Sequence, residues 1–458
     1  MASGRPRPLN FFGRKIVHRI LFLLGFVFLA LVGWETSVHA SQRNLGEVFQ
    51  AIEDDNLERF KRLVDRLPVR ELNRGYSGSF GETPLIATAR FERLEMLQHL
   101  LTKPGLCIDC VDDYRRTALI EATIRNNLAI LNELLRKGAN ANFRGRYGRT
   151  ALHFAVAEGY TEIVKRLLEV DGIAVNERDD NGRTPLLVAF DDFANPREEL
   201  EVIDEELGEI FVLEANLHLE IRRMPLPEDP EEREEVKSLK AAVAFMDLVR
   251  VMMLGELLKA GADPNLLDHS RRGPLMAAAE TGQEPAYFLL RLGGARTKEA
   301  VTRDGKTVLM ASAASESARI FNALLEEAEL DLNEVDFFGR TALHYTVQEG
   351  LSAWLKRMID RGANVNIQDD DGLSPVMLAI VHNCMESVRC LVELGADLSL
   401  EDVDGDNSLH LAAYTALMND DPSLFDFIAE IRPELEKTTN KEGRTPREVL
   451  LGRGTVIH

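Results

Sequence analysis

The feature that most restricts this chain is a period. A Thr-Pro-Leu-His-like start falls at Thr83, Thr117, Thr150 and Thr184, then at Gly273, Thr307, Thr341, Ser374 and Asn407, with a partial copy at Thr445. Successive intervals are 34, 33 and 34 residues, a gap of 89, then 34, 34, 33 and 33. A unit this short cannot bury its own apolar surface, so neighbouring copies must stack and share a continuous core.

The clearest copy, Gly148 to Glu169, reads GRTALHFAVAEGYTEIVKRLLE. Thr150 is placed to cap a first helix, its hydroxyl accepting from backbone N–H groups that lack an intrahelical partner. Leu152, Ala155 and Val156 give that helix a small apolar face. Gly159 permits a break, and Ile163, Val164, Leu167 and Leu168 recur at the helical spacing of a second helix.

Three motifs recur with the period: TALH (150–153 and 341–344), EIVKRLL (162–168), and GADPN (261–265) or GANVN (362–366) closing the repeat. Together they resemble the ankyrin repeat family over roughly residues 43–452. The resemblance implies an all-α solenoid of helix-turn-helix repeats joined by β-hairpin-like loops, about ten repeats including caps. It also implies protein binding on a concave groove lined by hairpin tips and first helices, and a structural hydrogen-bonding role for His153, His344 and His410.

Residues 1–40 read differently. Arg5, Arg7, Arg14, Lys15 and Arg19 precede an apolar run from Ile20 to Trp34, and Val38-His39-Ala40 follows as a small-residue cleavage pattern. This is the anatomy of a secretory signal peptide cut after Ala40; the run is short for a spanning helix, and left uncleaved it would act as an anchor. Periplasmic or secreted localisation is the expectation. The absence of an Asn-x-Ser/Thr acceptor favours a bacterial periplasm over a glycosylating route. Cleavage removes five bases and one acid, taking the formal charge from −21 to −25. A body this acidic repels phosphate backbones, which argues against nucleic acid and anionic membranes as partners and suits a basic protein.

The expected organisation is residues 41–76 as an amino-terminal cap, 77–190 as repeats, 191–240 as an acidic insertion, 241–452 as repeats and a carboxyl-terminal cap, and 453–458 as a tail. The insertion holds 17 acids and 6 bases. Within it Leu200, Ile203, Leu207, Phe211 and Leu217 sit at roughly helical spacing. Leu239 to Leu258 reads as the interrupted repeat's returning second helix.

No nucleophile elbow, phosphate-cradling glycine loop or metal-ligand spacing is present, so no enzyme activity, cofactor or metal is expected. Function is expected from surface side chains. The two variable tip positions of each hairpin place aromatics at Phe80, Tyr114 and Tyr147, joined by Phe154 of a first helix, and again at Phe337 and Phe338, with Tyr345 a turn inward. Exposed aromatics are enriched at binding hot spots. Asp370, Asp371 and Asp404, with Asp402 and Asp406, add an acidic patch suited to a basic partner. Cys107 and Cys110 admit a local disulfide or serve as small apolar fillers; Cys384 and Cys390 do not share a face. The reading is a non-enzymatic exported binder of another protein, an envelope or cell-wall enzyme among the candidates. A multi-partner envelope scaffold, or a thiol-redox protein using Cys107 and Cys110, stands as the alternative.

Overall fold

The computed structural model describes residues 42–190, 230–328 and 330–452. The signal-type segment, the tail 453–458 and the apolar positions from Leu200 to Leu217 lie outside the described residues. Among the described residues the regular structure is helical, with isolated antiparallel bridges at Tyr76–Glu82, Val301–Thr307 and Glu401–Asn407. The chain divides into two compact units, one comprising residues 1–155 and 169–173, the other 156–168 and 174–458.

The repeat start is a helix cap. Thr83, Thr117, Thr184 and Thr307 lie in extended backbone, and each Oγ1 accepts the N–H three residues on, at 3.3 Å. Proline at the first helical position, as in Pro84–Arg90 and Pro375–Val381, fixes φ where no N–H is needed. The first helices are short and buried on nearly every side. In Pro84–Arg90 all residues but the last are buried, which is why Ala recurs there and bulk does not. Second helices bury one stripe: Ile130, Leu131 and Leu134 in Leu128–Arg136, and Ile320, Phe321, Leu324 and Leu325 in Ala318–Leu325.

In the first unit an amino-terminal cap buries Val48, Phe49, Ile52, Phe60 and Val64. It is tied to the next repeat through Asn73, whose Nδ2 donates to Gly105 O (3.0 Å) and whose Oδ1 accepts from Cys107 N (2.8 Å). Cys107 and Cys110 close a disulfide on this segment, with Cα atoms 5.4 Å apart.

The second unit repeats the same staple. The Asn265 side chain bridges Gly294 O and Arg296 N, and that of Asn333 bridges Gly362 O and Asn364 N. The insertion does not break this order. Asn176 reaches Gly261 O (3.1 Å) and Asp263 N (2.8 Å), so the interrupted repeat meets the next one in register. The returning helix is longer than the sequence indicated. It runs Pro230–Lys259, starting nine residues before Leu239 and ending one after Leu258. Its last turns bury Met253, Leu254 and Leu257, whereas Phe245, Leu248 and Met252 face solvent.

Candidate protein-binding surface

Among the described residues, seven tips rest on one Asp or Asn side chain five residues before the helix start. Asp112, Asp179, Asp268, Asp336, Asp369, Asp402 and Asn440 use Oδ1 to accept the N–H groups two and four residues on, at 2.7–3.1 Å. That acceptor closes a tight loop in which the fourth residue is left-handed. Glycine suits the position twice over. Gly339 and Gly372 have φ of +73° and +78°, and a Cβ on either would lie within 3 Å of the following hairpin's backbone. The sequence reading did not single out this acid, although it recurs at a fixed offset from the Thr.

The tips of the second unit are then linked by their backbones. His269 N donates to Asn181 O, Arg303 N to Ser270 O, Phe337 N to Asp304 O, Asp370 N to Phe338 O, Val403 N to Asp371 O, and Lys441 N to Asp404 O, at 2.7–3.1 Å. The first tip residue of each repeat thus docks on the second tip residue before it. The ladder uses the polar backbone and leaves the side chains for display.

Phe337 and Phe338 occupy one rung of it. They are 76% and 53% exposed, with ring centroids 6.1 Å apart in an edge-to-face pair. Beneath them, Asp336 accepts from Phe338 N and Arg340 N (both 2.9 Å), from Arg340 Nε (3.1 Å) and Nη2 (2.9 Å), and from Tyr345 Oη (2.7 Å). Burial works to raise the Asp336 carboxyl, but these hydrogen bonds outweigh it and hold it below the usual range. The Arg340 guanidinium stacks at 4.8 Å from the Phe338 ring and 4.9 Å from Tyr345. Asp304, Asp370, Asp371 and Asp404 are exposed on neighbouring tips, with Arg303 and Val403 between them.

Three expected surface residues are placed otherwise. Tyr345 is half-buried and its hydroxyl is committed to Asp336 and Arg340. Burial, then the Asp336 bond, raises its pKa, so it supports the Phe pair from below rather than offering a free ring. Asp406 is buried and accepts from Asn440 Nδ2 at 2.7 Å. Phe154 is 4% exposed because every side chain from Ala151 to Val156 is buried, and it is core.

In the first unit, Phe80 is 52% exposed and its ring centroid lies 5.5 Å from that of a half-buried Tyr114, the planes tilted by 51°. The half-buried Tyr147 stands on the next tip but one, separated from Phe80 by the Tyr114 hairpin. A buried ion network underlies these tips. Arg116 contacts Asp112 (2.8 Å) and Glu121 (3.0 Å), Arg125 contacts Glu121 (3.1 Å), and Arg90 contacts Glu82 (2.8 Å). Burial raises the Glu82 carboxyl against the opposing pull of Arg90.

The signature histidines are structural. His344 Nδ1 accepts from Thr341 N (3.0 Å), which leaves the proton on Nε2 to donate to Leu373 O (3.1 Å) in the next hairpin. His410 repeats this with Asn407 N and Arg444 O, and His153 Nδ1 accepts from Thr150 N. Burial lowers the His344 pKa and keeps the ring neutral. Cys384 and Cys390 are free thiols. Among the described residues no group of three His, Cys, Asp or Glu is placed to hold a metal ion, and no helix is long and apolar enough to cross a membrane.

Helix pairs stacked at this period, with side chains offered from linked hairpin tips, define an all-α repeat protein. The chain belongs to the ankyrin repeat family: the family's three-copy repeat model matches residues 48–144, 122–195, 245–336, 284–369 and 343–419. It is similar to the B-cell lymphoma 3 protein homolog of Mus musculus, 28% identical over 39% of this chain and 41% of that protein. It is also similar to the Homo sapiens transient receptor potential cation channel subfamily A member 1 (25% identical, 75% of this chain, 36% of that protein). A third relative is the Neurospora crassa ankyrin repeat protein nuc-2 (27% identical, 73% and 27%). The chain therefore spans less than half the length of each. The crystal structure of the Bcl-3 ankyrin repeat domain aligns with 58% of this chain and 94% of that one, at 23% identity and a TM-score of 0.40.

Proposed function

We propose that this protein is a non-enzymatic binder that holds a basic partner protein on the Phe337–Phe338 tips. The observation that carries the reading is two adjacent, largely exposed rings on a rung whose backbone is bonded on both sides, to Asp304 O before it and from Asp370 N after it. Rigid exposed aromatics lose little entropy on binding and gain apolar burial, and flanking acids orient a cationic partner. The basic, apolar and small-residue series in residues 1–40 supports export and with it a partner in the periplasm or beyond, with envelope and cell-wall enzymes as the candidates to be restrained. A scaffold role is the second reading, favoured by the separate aromatic tips of the first unit. Phe337→Ala with Phe338→Ala is expected to weaken binding of a lysine-rich peptide by more than about 2 kcal/mol with an unchanged melting temperature. A large fall in melting temperature with unchanged affinity would assign the pair to the fold instead.

A further inference from the structure

We infer that the hairpin tips of the first unit form a second recognition surface of opposite character, cationic and aromatic, which takes an acidic extended segment of a partner protein. This rests on different residues from the Phe337–Phe338 surface and does not depend on it.

The Arg146 guanidinium lies 5.4 Å from the Tyr114 ring centroid and 4.7 Å from that of Tyr147, so two rings already partly shield it from water. Among the described residues no carboxylate lies within ion-pair distance of Arg146 or of the exposed Arg115, whose Nη2 donates to Arg144 O at 3.4 Å. The neighbouring Arg90, Arg116 and Arg125 all close on carboxylates. In a chain with 75 acids against 54 bases, two guanidiniums on neighbouring hairpins left without an acid are not a consequence of composition. Of the tip residues here, Asp113 is the single acid, and its carboxylate lies against Gly81, where an added Cβ would meet Oδ1 at 2.5 Å.

Arg115 also stands where the hairpins at Gly339 and Gly372 have glycine, and holds φ of +58°. A side chain in this region is strained, so arginine lowers stability there relative to glycine and offers in return its charge and the long bond to Arg144 O. The ring-stacked Arg146 and the exposed Arg115 offer N–H edges for paired carboxylate hydrogen bonds, and the Phe80 and Tyr114 faces cover apolar side chains between those carboxylates. The matching ligand alternates acidic and apolar residues.

The test uses the mature full chain, residues 41–458, with two fluorescein-labelled peptides, one of repeating Glu-Phe-Asp-Leu and one with lysine in place of each acid. Anisotropy is measured for wild type, Arg115→Gly with Arg146→Gln, and Phe337→Ala with Phe338→Ala. The acidic peptide should bind wild type, lose affinity with rising salt, and lose about tenfold or more on the arginine pair. Arg115→Gly alone should leave the melting temperature unchanged or higher, which separates lost recognition from lost folding. The lysine peptide should respond to the phenylalanine pair and not to the arginine pair, so the two surfaces fail independently. No binding of the acidic peptide at about millimolar concentration, equal binding by the arginine variant, or preference for an oligothymidine competitor would overturn the inference.

Discussion

Asp336→Ala should be among the most damaging single substitutions in the second unit, although the residue touches no ligand. Its carboxylate accepts five hydrogen bonds, from two backbone N–H groups, two guanidinium nitrogens and a phenol. The side chain of Asp336 is nearly fully buried, so water cannot replace it at the backbone donors. Arg340 retains some solvent contact and recovers part of its loss. Each orphaned buried donor costs about 1–3 kcal/mol, and removing one partner of a buried ion pair costs about 3–5 kcal/mol. These overlap, and a loss of about 3–5 kcal/mol of unfolding free energy is expected. Asp336→Asn keeps Oδ1 for both backbone N–H groups but puts an NH2 donor where Oδ2 accepted from Arg340 Nε, Arg340 Nη2 and Tyr345 Oη, so it should cost about 2–3 kcal/mol, less than the alanine. Urea denaturation followed by circular dichroism reads both. A loss below about 1 kcal/mol for Asp336→Ala would refute the reasoning that this acceptor holds the tip together.

Acid should weaken the fold through His344. Its folded pKa lies below the free value of about 6.5, so the unfolded chain binds the extra proton first, and stability falls as pH drops from that value toward the folded pKa. His344→Gln should flatten this part of the stability profile, measured as the urea midpoint between pH 7 and 5. Asp336 adds a separate loss at lower pH, beginning as pH falls through the free aspartate value and continuing toward its depressed folded pKa. Thiol titration of unreduced, denatured protein should count two free cysteines, Cys384 and Cys390, rising to four on reduction. Cys107→Ser with Cys110→Ser should lower stability by about 2 kcal/mol or less, the loop being short. Deleting residues 195–228 should leave cooperative unfolding intact, because Asn176 already joins Gly261 and Asp263 across the insertion.

Much of the fold was legible because the Thr caps and apolar second-helix stripes are local signals that repeat. Phe337 and Phe338 were legible as surface residues because a tip has little core beneath it. Phe154 was not. A seven-residue helix buried everywhere but at Ala157 carries no polar face, so the periodicity that separates inside from outside is missing from ALHFAVA. Tyr345 was misread because its ring does lie near the tips, and only the geometry shows its hydroxyl spent on Asp336. Asp336 and most of its equivalents were overlooked, and Asp402 was read only as part of an acidic patch, for a related reason: an acid in a turn reads as solvated, and the fixed offset of five residues from the Thr was the available clue. The exposed stripe of Phe245, Leu248 and Met252 has helical spacing, but the sequence cannot say which side of so long a helix meets the repeats.

The central claim is that Phe337 and Phe338 form a binding surface, and crosslinking capture from a native extract of the source cells tests it most directly. Wild-type protein and the Phe337→Ala, Phe338→Ala variant would be compared at equal folded concentration. The account predicts that wild type captures a basic protein which the variant, with its melting temperature unchanged, does not. Capture of the same protein in equal yield by both would contradict it.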